Sequence, residues 1–445
     1  MIQKNKTVGM VSLGCAKNQV DAERMITLMK NCGYTVTPQL DELDAVVINT
    51  CGFIESAKSE AIETILEFCA LKAEGKLKKV IVTGCLAERY KSELLEEMPE
   101  IDGVLGTGSF QRIAEALDAA FSKDITDIPG SDHNADEAER TLSTPQGWAY
   151  LKIAEGCDNR CAYCVIPNLR GAFRSRTIES LTDEAKSLAV QGVRELDVVA
   201  QDTTRYGLDL YGRRALPELL EALTAIDGIE WIRLHYLYPD EITDELIGVI
   251  SSNPKIVKYL DIPIQHINDS ILARMNRRGT GGEIRALLRK LRENISNVVI
   301  RTTVIAGLPG ETEREFEELC DFLREFRLER VGAFPFSPEE GTPAEKMTDR
   351  VHLELAEHRA ALIEQLQSGI MDEFNTSRLN TVCSVLIEGY DKWGECYYGH
   401  SWAEAPDVDG KIFIAAPDVK LKLGDIISVR IIDIIDGDLL GEVLD

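Results

Sequence analysis

KIAEGCDNRCAYCVIPNLRG, residues 152–171, carries Cys157, Cys161 and Cys164 within eight positions of an otherwise ordinary globular chain. The stretch continues a β-rich apolar run that begins at Trp148. Parallel α/β barrels place their reactive groups on the loops that follow their strands. The sequence therefore predicts that these three thiols form a metal-binding or catalytic site on such a loop.

Length and cysteine content narrow the class of protein. The chain has 445 residues, enough for about two to four domains with cores of their own. Its 11 cysteines are an odd number in a long chain, so metal-binding or catalytic thiols are favoured over a disulfide framework. No apolar run approaches the about 20 residues that span a bilayer, and we expect a cytoplasmic protein without a membrane partner.

The charge balance narrows the class of partner. The net charge is −26 and the isoelectric point is near 4.7. Binding to nucleic acid phosphates needs a basic face, which this composition disfavours. A basic protein is therefore the favoured partner.

Three segments near the beginning of the chain share one pattern, an apolar β-rich run that ends in cysteine. They are TVGMVSLGC, DAVVINTC and KKVIVTGC, and they end at Cys15, Cys51 and Cys85. Helical sequence follows each run, so the pattern predicts parallel strands joined by helices. The carboxyl ends of such strands share one edge of the sheet, where ligands bind. We therefore expect these three thiols to meet at a second site.

The rest of the chain divides into three parts. Residues 126–145 are polar and acidic and contain Pro and Gly, which predicts a linker. Six β-rich runs separated by helical sequence then begin near residues 148, 194, 229, 257, 298 and 330, too few for a closed eight-stranded barrel. A long amphipathic helix and five short strands complete the chain, which predicts a small terminal β-barrel of OB-like proportions.

The spacing C-x3-C-x2-C limits the chemistry of the first site. A structural zinc site normally has four protein ligands, and no fourth Cys or His lies nearby in the sequence. A [4Fe-4S] cluster usually takes one thiolate for each iron, so three cysteines leave one iron open to a substrate. The open-iron cluster is the favoured interpretation, with zinc or a structural cluster as the alternative.

This spacing and position resemble the signature of the radical S-adenosylmethionine (SAM) superfamily, in which the open iron binds the amino and carboxylate groups of SAM. The resemblance implies SAM contacts for Tyr163 in the cysteine loop and for the turn that contains Gly307, Gly310 and Glu311. Gln201 and Asp202 are also expected to contact SAM, because they stand where many relatives have an acidic cofactor-binding motif. Their departure from that motif leaves the group that binds the SAM amine unassigned.

The three predicted domains in this order resemble the methylthiotransferases, and the resemblance covers essentially the whole chain. It implies an N-terminal open parallel α/β domain (1–125), a linker (126–145), a central partial (β/α)6 radical SAM barrel with its C-terminal helix (146–376) and a small antiparallel TRAM-like barrel (377–445). The motif SLGCAKNQVDAE is similar to the opening of the RimO type, although Ala16 replaces the usual proline. VAQDTTRYG, DIPIQH, FSPEEGT and EAPDVDG are also RimO-like.

The resemblance implies a reaction and its cofactors. Enzymes of the RimO type methylthiolate the β-carbon of an aspartate in protein twelve of the small ribosomal subunit. Cys157, Cys161 and Cys164 would hold the cluster that cleaves SAM to give a radical, and Cys15, Cys51 and Cys85 would hold a second [4Fe-4S] cluster that presents sulfur. A second SAM would donate the methyl group. An electron donor and a sulfur donor are also required, and no motif identifies either one.

Other side chains receive no catalytic assignment. The remaining cysteines, at positions 32, 69, 320, 383 and 396, are interpreted as packing residues. His235 and His266 end predicted barrel strands and are interpreted as polar lining or structural residues.

Two alternatives remain open at this point, namely a methylthiotransferase that acts on transfer RNA and a non-enzymatic iron-sulfur carrier. Charge argues against the first, because residues 380–445 contain 13 Asp or Glu against five Lys or Arg. An open-iron motif within a complete barrel argues against the second. We also expect an acidic face of the terminal barrel, including Glu404, Asp407 and Asp409, to recognise the basic ribosomal protein.

Overall fold

The computed structural model describes residues 6–39, 42–122, 140–415 and 420–444. A five-stranded sheet, a six-stranded sheet and a closed five-stranded barrel follow one another along the chain, with a two-stranded sheet beside the second. This order confirms the predicted architecture of two α/β units and a terminal β-barrel.

The N-terminal unit is an open parallel sheet in the strand order β2-β1-β3-β4-β5. Its strands are β1 (Thr7–Ser12), β2 (Thr35–Thr37), β3 (Ala45–Thr50), β4 (Lys79–Gly84) and β5 (Gly103–Leu105). Its helices are α1 (Ala16–Asn31), α2 (Glu55–Ala73), α3 (Cys85–Arg89), α4 (Lys91–Glu97) and α5 (Ile113–Ser122).

Helices cover both faces of this sheet, so its central strands are apolar along their length. All six residues of β3 are buried. Helices α1 and α5 pack on one face, and α2 with α3 and α4 on the other. Strands β1, β3 and β4 are adjacent, and their carboxyl ends lead to Cys15, Cys51 and Cys85. The predicted common edge for these cysteines is therefore present.

The central unit is a six-stranded parallel sheet in the order β13-β12-β11-β10-β9-β6. Its strands are β6 (Trp148–Lys152), β9 (Glu195–Val199), β10 (Trp231–Leu234), β11 (Ile256–Asp261), β12 (Val299–Ala306) and β13 (Arg330–Pro335), and β7 (Ala154–Glu155) pairs with β8 (Arg174–Ser175). Its helices are α6 (Ile166–Arg170), α7 (Ile178–Val190), α8 (Leu208–Tyr211), α9 (Leu216–Thr224), α10 (Asp244–Ser252), α11 (Asp269–Arg274), α12 (Gly281–Asn294), α13 (Glu313–Phe326) and α14 (Leu353–Ser377). Helices and strands share one large apolar core, and the six strands confirm the predicted partial barrel.

Most of the predicted linker lies outside the described residues, because the structure does not describe residues 123–139. The part that is described packs against the two α/β units. Arg140 is buried and pairs with Glu23 and Glu184, and Ser143 donates to Glu23. Residues 140–145 therefore contact both α1 and the central unit.

The terminal barrel consists of β14 (Val382–Asp391), β15 (Cys396–His400), β16 (Ile412–Ala415), β17 (Ile426–Ile435) and β18 (Asp438–Val443). Its pairs are antiparallel except for β16 with β18, which is parallel. The predicted small antiparallel barrel is therefore confirmed, with one parallel pair among its five. A closed ring with an odd number of strands cannot alternate direction throughout, so at least one pair must be parallel.

The terminal barrel docks on the central sheet through buried charges. His400 lies between two carboxylates, with its Nε2 2.5 Å from Glu195 and its Nδ1 2.7 Å from Glu388. Arg233 pairs with Glu195 and donates to the carbonyls of Ser401 and Trp402. Burial disfavours the charged His400 ring, but the two carboxylates outweigh burial and raise its pKa to about 10. The ring is therefore a buried cation at neutral pH.

Within the described residues, no helix combines the length and apolar character needed to cross a membrane.

Replacing His400 by glutamine should destabilise the contact between the terminal barrel and the central sheet by about 3 kcal/mol or more. Glu195 and Glu388 would remain buried without the cation between them. The pKa of His400 in the folded state, about 10, lies above its ordinary value of 6.5. The stabilisation from the charged ring is therefore fully present below about pH 6.5 and is lost as the pH rises through about 10. Thermal unfolding from about pH 6 to 10 should show a difference in melting temperature between the wild type and H400Q, and this difference should narrow as the pH rises. The exposed His358→Gln is the control. A difference in melting temperature that stays constant over this pH range would contradict this account.

Candidate functional site

The first cysteine loop is closed at its base by the β7–β8 pair. The Cys157 amide donates to the Gly171 carbonyl at 3.1 Å, which joins the two ends of the loop. Gly156 has a φ of +81°, and a Cβ there would lie 2.2 Å from the Ala172 carbonyl oxygen. The close approach of the two strands therefore requires a glycine at this position.

Cys157, Cys161 and Cys164 line one cavity of about 330 Å3 inside this loop. Burial raises the pKa of Cys157 to about 11 and that of Cys164 to about 12. Without a metal centre these two groups are therefore neutral thiols at neutral pH. A bound metal centre favours the thiolate form and displaces the protons.

Cationic and aromatic side chains of the barrel approach the same thiols. The Tyr238 hydroxyl lies 3.7 Å from Cys161 Sγ, and Arg277 Nη1 lies 3.9 Å from that sulfur. The Arg277 guanidinium also stacks on the Tyr238 ring, 3.9 Å from its centroid. This positive charge is suited to stabilise thiolates.

The donor set fits a cluster better than a single ion. In the described part of the chain, no three His, Cys, Asp or Glu side chains converge closely enough to hold one metal ion. Here the three thiols instead surround a cavity, which matches a cluster whose irons each take a different thiolate. These residues therefore suit a [4Fe-4S] cluster.

The second cysteine set lies at the carboxyl edge of the N-terminal sheet, where three loops pack closely. Each cysteine has a neighbouring glycine, in the pairs Gly14-Cys15, Cys51-Gly52 and Gly84-Cys85. A Cβ on Gly14 would lie 2.7 Å from Cys51 Cβ, and a Cβ on Gly52 would lie 2.8 Å from the Leu86 backbone. The glycines therefore allow the cysteine loops to approach one another.

Nearby charges distinguish the three thiols of this set. Burial raises the pKa of Cys51 to about 11 and also raises that of Cys85. At Cys15 burial disfavours the thiolate, but the positive charges of Lys17 and Arg170 outweigh it and lower the pKa. A charge on Cys15 also raises the pKa values of Cys51 and Cys85, as expected for neighbouring thiols, and a cluster held by all three stays a prediction.

Arg170 reaches from the helix after the first cysteine loop to the second cysteine set. It lies in α6, just after the first cysteine loop, and its Nη2 is 3.6 Å from Cys85 Sγ in the second set. The same guanidinium pairs with Asp21 at 2.8 Å and with Glu155 at 2.9 Å. Lys152 pairs with the same two carboxylates. These four buried charges join the N-terminal unit to the mouth of the barrel.

The predicted SAM contacts have varied surroundings. Tyr163 packs beside the apolar cluster that contains Ala162 and Leu308. Gln201 donates to Glu155 at 2.8 Å, and its buried Oε1 has no hydrogen-bond partner. Burial raises the pKa of Asp202, which accepts a hydrogen bond from Asn159 at 2.7 Å. Gln201 Oε1 is thus an acceptor available to a ligand.

The predicted glycine-bearing turn has a clear structural role. Gly307 has a φ of +82°, and a Cβ there would lie 2.3 Å from Ala356 Cβ in α14. Gly310 also has a positive φ, +86°. Glu311 is buried, accepts from the Gly307 amide at 3.0 Å and pairs with Arg359 at 2.8 Å. Its carboxylate therefore holds the turn, and a contact with SAM stays a prediction for all three residues.

The prediction that Glu404 lies on an acidic outer face is wrong. Its carboxylate is only 2% exposed and pairs with Arg378 and Arg330. Asp409 is partly buried and accepts from the Tyr259 hydroxyl at 2.7 Å. Of the three residues only Asp407 is exposed. Glu404 and Asp409 therefore hold the terminal barrel in place, and substrate binding by Asp407 stays a prediction.

The two candidate histidines differ in their contacts. His235 Nδ1 lies 3.8 Å from Asp261, and burial lowers the pKa of the ring. His266 Nε2 lies 3.5 Å from Glu311. Each histidine is buried beside a carboxylate, as expected for a polar lining or structural residue.

Sequence reasoning missed three cationic residues at these sites, Lys17, Arg170 and Arg277. Lys17 follows Cys15 by two positions, and Arg170 follows Cys164 by six. Basic residues that close to cysteines were an available signal. Arg277 lies more than 100 positions from Cys161, and nothing in its local sequence points to a thiol.

Family comparisons match consecutive parts of the chain. Residues 7–106 match "Uncharacterized protein family UPF0004", residues 151–323 the "Radical SAM superfamily" and residues 381–444 the "TRAM domain". The radical SAM methyltransferase TsrM from Kitasatospora setae has a similar fold, with a TM-score of 0.57 and 15% identity over 76% of this chain and 77% of that one. The SAM radical enzyme OxsB has a TM-score of 0.52 and 12% identity over 83% of this chain and 56% of its own. Fold and site thus define a radical SAM protein with a C-terminal TRAM domain.

Full-length relatives define the family more narrowly. The protein named ribosomal protein uS12 methylthiotransferase RimO of Acetivibrio thermocellus is 47% identical over 448 residues, which cover 99% of this chain and 98% of that protein. Its counterpart in Geobacter sulfurreducens is 46% identical and covers 100% of both chains. The chain belongs to the RimO family of methylthiotransferases, which confirms the resemblance seen in the motifs. It is therefore an enzyme of the transferase class.

Replacing Arg170 by methionine should loosen the contact between the N-terminal unit and the barrel, because Asp21 and Glu155 would keep only Lys152 as a buried cation. Hydrogen exchange should become faster in residues 85–90 and 166–170, which pack across this contact. Arg213, an exposed arginine that pairs with Glu218, provides the matched control R213M. Unchanged exchange in R170M would show that the four charges do not hold the two units together.

Proposed function

We propose that this chain adds a methylthio group to the β-carbon of an aspartate in ribosomal protein uS12, using SAM and two [4Fe-4S] clusters. The observation that carries the proposal is that Arg170, at the end of the helix that follows the first cysteine loop, lies against Cys85 of the second cysteine set. Two such sites on adjoining units suit a reaction that needs both a radical and a sulfur atom at one carbon. Family membership supports the ribosomal substrate.

Each cysteine set has its own role in the proposal. Cys157, Cys161 and Cys164 hold the SAM-binding cluster, and Cys15, Cys51 and Cys85 hold the second one. When bound, these groups supply the electron, the radical and the sulfur that methylthiolation of an unactivated carbon requires. The reducing power and the sulfur come ultimately from donors outside the chain.

The remaining residues bind and orient. Gln201 Oε1, which has no hydrogen-bond partner, is suited to accept from the ammonium of SAM. Tyr163 provides an aromatic surface beside the cysteine loop. Arg170 and Lys152 hold the N-terminal unit against the barrel through Asp21 and Glu155, as a substrate position shared by the two units would require.

Separate removal of the two cysteine sets tests the assignment of clusters. After anaerobic reconstitution, C157A/C161A/C164A should lose about half of the bound iron and all reductive SAM cleavage. C15A/C51A/C85A should also lose about half of the iron but should still cleave SAM, since its radical-generating site is intact. The buried helical Cys69 offers the control C69A, for which full iron content is expected. Loss of SAM cleavage in the second variant, with its first cluster retained, would refute this division of roles.

Direct comparison of substrates tests the reaction. Reconstituted enzyme with SAM, reductant and a sulfide source should add a methylthio group to uS12, detected by mass spectrometry, and should leave transfer RNA unmodified. The modification should be absent when the target aspartate is replaced by alanine. Modified transfer RNA would overturn the proposed substrate, and SAM cleavage without any methylthiolated product would overturn the proposed reaction.

A further inference from the structure

One side of the first cysteine cavity is formed by a segment that lies outside the cysteine loop. Gly341 and Pro343, which follow β13, line this cavity together with the three thiols. The amide of Ala344 donates to the carbonyl of Ala162, inside the cysteine loop, at 2.8 Å. Residues 336–344, here called the wall segment, are therefore attached to the cysteine loop and form part of its site.

The N-terminal unit holds the wall segment through a buried carboxylate. The Glu339 side chain is only 2% exposed, and it pairs with Arg89 at 2.8 Å and with Lys58 at 3.2 Å. Arg89 lies in α3 and Lys58 in α2, so both cations come from the N-terminal unit. The Glu339 carbonyl also accepts from the amide and the hydroxyl of Thr342, at 3.1 and 2.7 Å. A shift of this carboxylate would therefore move the turn that carries Gly341.

Arg89 binds the wall segment and the second cysteine set with one guanidinium. Its Nη1 also donates to the carbonyl of Gly52, the residue after Cys51, at 3.1 Å. Its Nη2 donates to the carbonyl of Glu340 at 3.0 Å. The planar guanidinium fixes the directions of these bonds, which a single point charge would not do. The wall segment is therefore held in one position relative to the loop of Cys51.

We propose that Arg89 is a positioning residue for SAM binding at the first cysteine site, an inference that rests on the proposed function. Arg89 acts through Glu339, whose turn carries the cavity residues Gly341 and Pro343. The first site is then complete only when the N-terminal unit is docked. SAM binding in the barrel is thereby made to depend on the unit that carries the second cysteine set.

SAM cleavage by the reconstituted full-length chain, driven by a chemical reductant, tests this role. R89M should raise the KM for SAM about tenfold or more and change kcat by less than about threefold, because the wall segment is displaced while the cysteines remain. R89K keeps a positive charge beside Glu339 and should recover most of the loss. R324M removes an exposed arginine that pairs with Asp321, and it should behave as wild type.

A double variant tests whether Arg89 acts through Glu339. E339Q should raise the KM for SAM as R89M does, and R89M/E339Q should be no worse than either single variant, since both changes remove the same contact. Additive effects of the two changes would overturn this account. Loss of about half of the bound iron in R89M, with an unchanged KM for SAM, would assign Arg89 to the second cysteine set and would also overturn it.

Hydrogen exchange without any cofactor gives a readout that needs no reaction. R89M should exchange faster than wild type in residues 157–164 and 336–344, with the terminal barrel unchanged, and R324M should not. Unchanged exchange in both segments would overturn the role of Arg89. If the wild type binds iron but cleaves no SAM, the proposed function fails, and the exchange result still decides whether Arg89 holds the wall segment.

Discussion

The arrangement of the catalytic units depends on one buried network, in which Arg170 and Lys152 pair with Asp21 and Glu155. Burying four charges costs desolvation energy that their attraction only partly offsets, so the network contributes less to stability than to geometry. Removing one partner, however, leaves a charge unpaired and costs about 3–5 kcal/mol. The two units are therefore held in one relative position, and with them the two cysteine sites, since Arg170 also contacts Cys85.

Buried charged contacts also hold the terminal barrel against the amino ends of the central strands. The terminal barrel contacts Trp148 and Glu195, the first residues of β6 and β9, through Glu388 and His400. The N-terminal unit contacts the carboxyl ends, through Lys152. A six-stranded partial barrel leaves its ends and one side open to solvent. In this chain neighbouring units cover both ends, and charged contacts specify where each unit sits.

The sequence was informative where a local pattern decides the structure. Apolar runs that end in cysteine indicated the strands and the common sheet edge of Cys15, Cys51 and Cys85, because parallel strands align their carboxyl ends. Burial of single charges could not be predicted. Glu404 belongs to an acidic segment typical of a surface, yet its partners Arg330 and Arg378 lie 74 and 26 positions away. Only the folded chain brings such pairs together, and for the same reason the contact of Arg277 with Cys161 was missed.

Buried charges in this chain are balanced in two ways, by opposite charges on other side chains and by the cysteine thiols. Arg170, Glu404 and His400 have their counter-charges within the chain, so their places are explained by the fold. Lys17 lies over the face of Tyr236, and its positive charge stabilises the thiolate of Cys15. The place of Lys17 is therefore explained by the cysteine site beside it, where a cation favours the thiolate form that a metal centre requires.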